Sequence, residues 1–148
     1  MPTAAKRAFR SNRGWREREP MEHEMRLNPA PFRMIQSGEK TIELRLYDEM
    51  RRKIAVGDTI VFTEKETGEK LCVAVTALHV FPSFDELYRA LPLQKCGYTE
   101  AELETAGPDD MLAYYSLEQQ RQYGVVGIGI ERKQCFLSCT GDDYPPVS

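Results

Sequence analysis

Residues 40 to 46, KTIELRL, alternate without a break: Ile42, Leu44 and Leu46 fall on one side of an extended chain, and Thr41, Glu43 and Arg45 on the other. That period commits the stretch to a sheet with its aliphatic face against a core. The opposite face then carries a carboxylate and a guanidinium two residues apart, with the ammonium of Lys40 just ahead of the strand. The plainest account is a solvated strand face with an ordinary ion pair, worth about 0–1 kcal/mol. The other is that these charges floor a binding site.

The flanking segments supply the partners such a strand needs. HEMRL, residues 23 to 27, alternates as a short strand. Asn28 then caps a helix with Pro29 in its first turn and Phe32, Met34 and Ile35 as its apolar members, and Gly38 ends it. After the polar turn that follows Leu46, Gly57-Asp58 leads into a strand from Thr59 to Phe62, and ETGEK closes a hairpin into the β-rich run Leu71 to Val80. Three Ser or Thr residues are each followed three positions later by Glu or Gln: Ser83 with Glu86, Thr99 with Glu102, and Ser116 with Gln119. These capping boxes predict three short helices within residues 83 to 123. YGVVGIGIE returns to strand, its Gly127 and Gly129 leaving room on one face for another backbone or a ligand. About five strands and four helices in this order lack the β–α alternation of a doubly wound sheet. They predict an α+β fold, a small mixed or antiparallel β-barrel flanked by short helices.

A chain of 148 residues, 41% of them apolar, has material for one modest core. Residues 1–20 show no periodicity and read as a disordered basic arm or extension, residues 21–132 as the domain, and residues 133–148 as an irregular tail. The first 20 residues carry six basic side chains against two acidic ones, a net +4, which leaves −7 on the remainder of a chain whose formal net charge is −3. An acidic body does not attract nucleic acid over its whole surface, so such binding has to come from a local basic groove or the arm. No apolar run is long enough to span a membrane or to serve as a secretory signal, and a cytoplasmic location is expected. Cys72, Cys96, Cys135 and Cys139 are too few and too scattered for a disulfide scaffold and are expected to be reduced. Cys135 and Cys139 have no second pair or histidine nearby to complete a metal site, so neither metal nor cofactor is expected. His23 and His79 lie in strand-like segments and read as packing or surface residues.

SGEKTIELR resembles the Gly-x-Lys-x-x-Glu-x-Arg signature of the ASCH domain, a relative of the PUA barrel, with Gly38, Lys40, Glu43 and Arg45 in the signature positions. VGDTIVF and YGVVGI resemble the hairpin and closing strand of that fold, while LPLQKCGYT and YYSLEQQRQYG are similar to a bacterial subgroup. The resemblance implies a barrel with a cleft beside the signature strand that holds RNA or a modified nucleoside or nucleotide. The side-chain chemistry agrees with that implication. Arg45 offers a planar fork to a phosphate or base edge, Glu43 an acceptor for a base amino group, and Lys40 a charge for a phosphate or carbonyl. Tyr47, Tyr98, Tyr115 and Tyr123 are candidates for base stacking, with core packing the expected role of at least two of them. Thr41, Lys95 and Ser116 complete the set of candidate ligand-binding residues.

Some bacterial relatives are amidohydrolases acting on N4-acetylcytidine, and the resemblance implies for them a Lys, a Thr nucleophile three residues later and a distant Glu. Here Lys40 matches, but the nucleophile position holds Glu43, and the segment before YTEAEL reads Lys95-Cys96-Gly97 with no carboxylate. The alternative function is therefore a small hydrolase, amidohydrolase-like or a ribonuclease, with Lys40 and Glu43 as its catalytic pair in acid–base work. Cys96 beside Lys95 is a candidate reactive thiol, for which a half-buried structural thiol is the favoured reading.

Overall fold

A computed structural model describes residues 19 to 134. Five strands run in the order β1 (Glu22–Leu27), β2 (Ile42–Leu46), β3 (Thr59–Glu64), β4 (Lys70–Phe81) and β5 (Val125–Lys133). The α-helices among the described residues are α1 (Pro29–Ser37), α2 (Phe84–Ala90) and α3 (Leu117–Tyr123). The strands form one sheet in the order β1-β3-β4-β5-β2, antiparallel except for the parallel pair β1–β3. β1 and β2 are thus its two edges. The long β4 pairs with β3 at its start and with β5 along most of its length, and a register shift between Val75 and Ala77 bends it. The sheet curls into a half-barrel, an α+β fold of PUA-like form.

The curled sheet has a core on each side. Met25 and Leu27 of β1, Ile60 and Phe62 of β3, Val73 and Val75 of β4, and Val126, Ile128 and Ile130 of β5 fill the inside, plugged by Phe32 and Ile35 of α1. Outside, Ile42, Leu44 and Leu46 of β2 pack with Phe84, Leu87 and Tyr88 of α2, Cys96, Met111 and Val125. The helical segment between β4 and β5 exists to cover that outer face. Glu43 and Arg45 pair in register with Ile128 and Val126, so they stand on the inner side of the half-barrel.

Most expected elements are present. α1 begins after Asn28 with Pro29 in its first turn and ends at Gly38, although Asn28 makes no side-chain cap. Of the three capping boxes, that of Ser116 and Gln119 forms in full on α3, and α2 follows Ser83 without a side-chain cap. Thr99 and Glu102 bond reciprocally at 2.9 and 3.3 Å, but they head a 3₁₀ turn, Ala101–Glu104, where an α-helix is expected. Further 3₁₀ turns at Arg51–Lys53, Leu93–Cys96 and Pro108–Ala113 escape the sequence patterns. Gly127 and Gly129 do make room, but for the protein itself. A Cβ on Gly127 would lie 2.7 Å from Leu91 Cδ1, and one on Gly129 would lie 2.9 Å from Thr76 Oγ1.

Cys72 is disulfide-bonded, against the expectation of reduced thiols, whereas Cys96 is free and buried. Cys135 and Cys139, the arm up to residue 18 and the tail from residue 135 lie outside the described residues. His23 serves packing, its Nε2 2.8 Å from the buried Asp58 carboxylate. No helix among the described residues is long and apolar enough to cross a membrane.

Candidate functional site

The charged face of β2 is buried. Glu43 is 4% exposed, as little as the aliphatic residues on the other side of the same strand. Its carboxylate is gripped by two cations: Arg45 Nε donates to Oε2 at 2.7 Å, and Lys40 Nζ stands 2.9 Å from Oε1. The side chains of Lys40 and Arg45 expose only 11% and 14% of their surface. A solvated ledge with a weak surface pair is therefore not what forms. Burial works to raise the Glu43 pKa, but the Lys40 and Arg45 charges outweigh it and hold the carboxyl below the usual range. Burial likewise works to lower the Arg45 pKa, and Glu43 more than offsets it. The trio is a fixed ion cluster carrying one net positive charge in a chain that is acidic overall.

Each member is positioned by a different element. Lys40 follows the end of α1, its backbone N–H donating to Met34 O at 3.0 Å. Its aliphatic stem lies against the turn after Leu93–Cys96, where a Cβ on Gly97 would come within 3.2 Å of Lys40 Cδ and 3.5 Å of Nζ. Thr41 donates its backbone N–H to Lys95 O at 2.9 Å, which ties that turn to the start of β2. Arg45 Nη2 donates to Arg26 O on β1 at 3.1 Å. One guanidinium thus spans the two unpaired edges of the sheet. The cluster sits at that open seam.

Glu43 Oε1 is buried and, despite its nearness to Lys40 Nζ, receives no well-aligned hydrogen bond. Its partner is the Lys40 ammonium at 2.9 Å, an ion pair that helps hold the carboxylate charged. Cys96 faces the same neighbourhood. Burial pushes its thiol up to about 11, against the pull of Lys40, so the thiol stays protonated near neutral pH and the structural reading of Cys96 holds.

The remaining sequence candidates separate into groups. Tyr98 donates its hydroxyl to Asp110 at 2.8 Å, lies 2.5 Å from the Tyr88 hydroxyl and packs edge-on against Tyr88 in the outer core. Tyr123 packs against the same core, and the Tyr47 ring lies under the Arg52 guanidinium, 4.3 Å from Cζ to the centroid. Ser116 Oγ is occupied as the cap of α3, accepting from Gln119 N at 3.1 Å, and Lys95 is exposed. Tyr115 is different: its ring stacks on Phe84 with centroids 6.0 Å apart, and burial pushes its hydroxyl pKa up against the pull of Arg45 and Arg51.

Sequence reasoning passed over Arg51, Asp48 and Tyr114. Asp48 accepts from Arg51 N at 3.1 Å and from Nη1 at 3.3 Å, fixing a second guanidinium. Tyr114 is 65% exposed, with its ring centroid 6.4 Å from that of Tyr115. The signal available for Tyr114 was the paired aromatics of YYS, an unusual doublet ahead of a helix cap. Among the described residues no group of His, Cys, Asp and Glu is arranged to hold a metal ion. A concavity of about 250 Å³ lined by Pro20, Met21, Glu22, Thr59, Cys72 and Lys133 shares no residue with the ion cluster.

Comparison with known proteins gives the same family as the signature. The ASCH domain family model matches residues 25–134. Among solved structures, the chain is similar to the hypothetical protein PH0355, with 36% identity, a TM-score of 0.64, and coverage of 76% of this chain and 100% of that one. It is also similar to protein PF0455 from Pyrococcus furiosus, with 38% identity, a TM-score of 0.60, and coverage of 76% and 97%. No curated protein sequence matches the chain.

Proposed function

This chain belongs to the ASCH domain family, and from that premise we propose that it is a cytoplasmic domain that binds RNA or a modified nucleoside through Lys40, Glu43 and Arg45. One observation carries the reading: a buried carboxylate held between two cations at the open seam of the sheet. A buried ion cluster of this kind contributes little net stability compared with apolar packing, because desolvation of the ions offsets their attraction. Recognition explains its presence better than folding does. The cluster offers a base one acceptor and a planar donor fork, and gives a polyanion a local positive charge that the acidic body lacks. The exposed Tyr114 ring beside Tyr115 adds a surface on which a base can stack.

Hydrolysis through Lys40 and Glu43 is the second reading. Acid–base work near neutrality needs a carboxyl group that exchanges protons there, and Glu43 is held below the usual carboxylate range. Gly97, in the segment where the amidohydrolase acid is missing, does reach Lys40, but it brings no side chain. These features favour binding over turnover.

Both readings are tested by incubating the full chain with N4-acetylcytidine and with short single-stranded RNA. Retained ligand and product are read by mass spectrometry for wild type, Lys40→Ala, Arg45→Ala and Glu43→Gln. Retention without product, lost in Lys40→Ala and Arg45→Ala proteins that remain folded, is the expected result. Equal retention in both variants overturns the binding site. Product from wild type that disappears in Lys40→Ala and Glu43→Gln would replace binding with hydrolysis.

A further inference from the structure

The inner face of β2 does not end at Arg45. Tyr47 N donates to Gly124 O at 2.9 Å, which carries the pairing of the two chain segments one residue past the end of the strand. Glu43, Arg45 and Tyr47 therefore alternate onto one face, and Tyr47 packs against the same inner core on which Glu43 and Arg45 stand. Arg45 and Tyr47 are two positions apart on an extended backbone, about 6–7 Å.

One side of the Tyr47 ring is already taken. The Arg52 guanidinium lies over it, 4.3 Å from Cζ to the ring centroid, and Nη2 donates to Tyr123 O at 2.9 Å, at the end of α3. Arg52 is nevertheless exposed, and no carboxylate among the described residues pairs with it, whereas Arg51 beside it is tied to Asp48. Held by a ring and a carbonyl, this guanidinium is ordered before a ligand arrives and loses little freedom when one binds. Its Nε and Nη1 make no hydrogen bond among the described residues. A planar cation that is fixed, exposed and without a counter-charge suits a nucleobase, because a guanidinium plane accepts a stacked base much as an aromatic ring does.

We propose that the Arg52 guanidinium, backed by Tyr47, is a stacking platform for a nucleobase next to the one held at Lys40, Glu43 and Arg45, so that the ligand is a single-stranded RNA and not a free nucleoside. This inference rests on the binding function proposed above and narrows it. Arg52 touches the base. Tyr47 is a positioning residue that keeps the guanidinium flat, and it does not itself stack on RNA.

The test titrates the full chain into a fluorescein-labelled single-stranded RNA oligonucleotide, read by anisotropy over a series of salt concentrations, with the folding of every variant checked by circular dichroism. Arg52→Ala is expected to weaken binding about tenfold. Arg52→Lys should be nearly as weak, since the ammonium keeps the charge but not the plane. Tyr47→Phe should bind as wild type does and Tyr47→Leu should lose affinity with Arg52→Ala. The slope of log affinity against log salt should not change in Arg52→Ala, whereas loss of a phosphate contact would flatten it by about 0.7. Wild-type affinity in Arg52→Lys, or the flatter slope in Arg52→Ala, overturns the platform in favour of a phosphate contact. Wild-type affinity in Tyr47→Leu overturns the backing role of the ring. If Arg45→Ala abolishes binding and Arg52→Ala does not weaken it, the platform falls and the RNA-binding function stands. If the wild-type chain binds N4-acetylcytidine but no oligonucleotide, the platform falls and the site is one for free nucleosides. If it binds neither, both readings fall.

Discussion

Glu43 is the residue on which the site turns, because two cations are buried against it. Replacing it with glutamine keeps the shape but leaves Lys40 and Arg45 as uncompensated charges, at a cost of about 3–5 kcal/mol. The pH dependence gives a sharper check. Burial opposes ionisation, but the cations prevail, so the folded-state pKa lies below the unfolded value, taken as 4.5. The stabilisation from the carboxylate is therefore complete above that pH and is lost as pH falls through the folded-state pKa. Urea unfolding of wild type and Glu43→Gln should show a constant stability gap from pH 7 to about 5, then a narrowing of about 1.4 kcal/mol per pH unit further down. A gap that stays the same at pH 3.5 would mean that the ionised carboxylate is not its source.

At the scale of elements, β2 is held by what lies beside each of its faces, and Lys40 by the turn at Leu93–Cys96. Gly97, with φ of 109°, ends that turn in the left-handed region and leaves space for the Lys40 stem. Alanine there is strained by about 1–2 kcal/mol, and its methyl also crowds the Lys40 stem, 3.2 Å from Cδ, so that the lysine must shift against Glu43. Gly68, in the β3–β4 hairpin, has φ of 78° with nothing within 4 Å of a Cβ, so it supplies the control. Both Gly97→Ala and Gly68→Ala should lower the melting temperature, while only Gly97→Ala weakens RNA binding, measured by fluorescence anisotropy. Equal binding in the two variants would separate Lys40 from the site.

For the molecule as a whole, the sheet does not close on itself. Its edges β1 and β2 are joined by chain through α1 and, in the described structure, by the bond from Arg45 Nη2 to Arg26 O. Arg45→Lys keeps the charge but loses the fork that reaches Glu43 and β1 together. Hydrogen exchange should then quicken at the β1 amides from Glu24 to Leu27, with the β4–β5 ladder unchanged. Uniform protection in the variant would show that the seam is held by α1 and the inner core alone. Since the same arginine belongs to the proposed ligand site, a bound anion and the seam compete for its donors.

The local features were legible in the sequence because they depend on neighbours within a few residues. The alternation of Ile42, Leu44 and Leu46, the Pro29 start and Gly38 end of α1, and the Ser116 capping box on α3 all appear as read. The Gly-x-Lys-x-x-Glu-x-Arg spacing also picked out Lys40, Glu43 and Arg45, which the fold brings together. What the sequence could not reveal was that both faces of β2 are covered, since period-2 alternation of apolar and charged residues looks the same for a strand with one wet face. Burial of Glu43 follows from the curl of the sheet and from the helices packed outside it, which depend on residues more than 80 positions away such as Ile128. Likewise Arg45 and Arg26 lie in separate strands, and only the curl of the sheet brings the Nη2 of one to the carbonyl of the other.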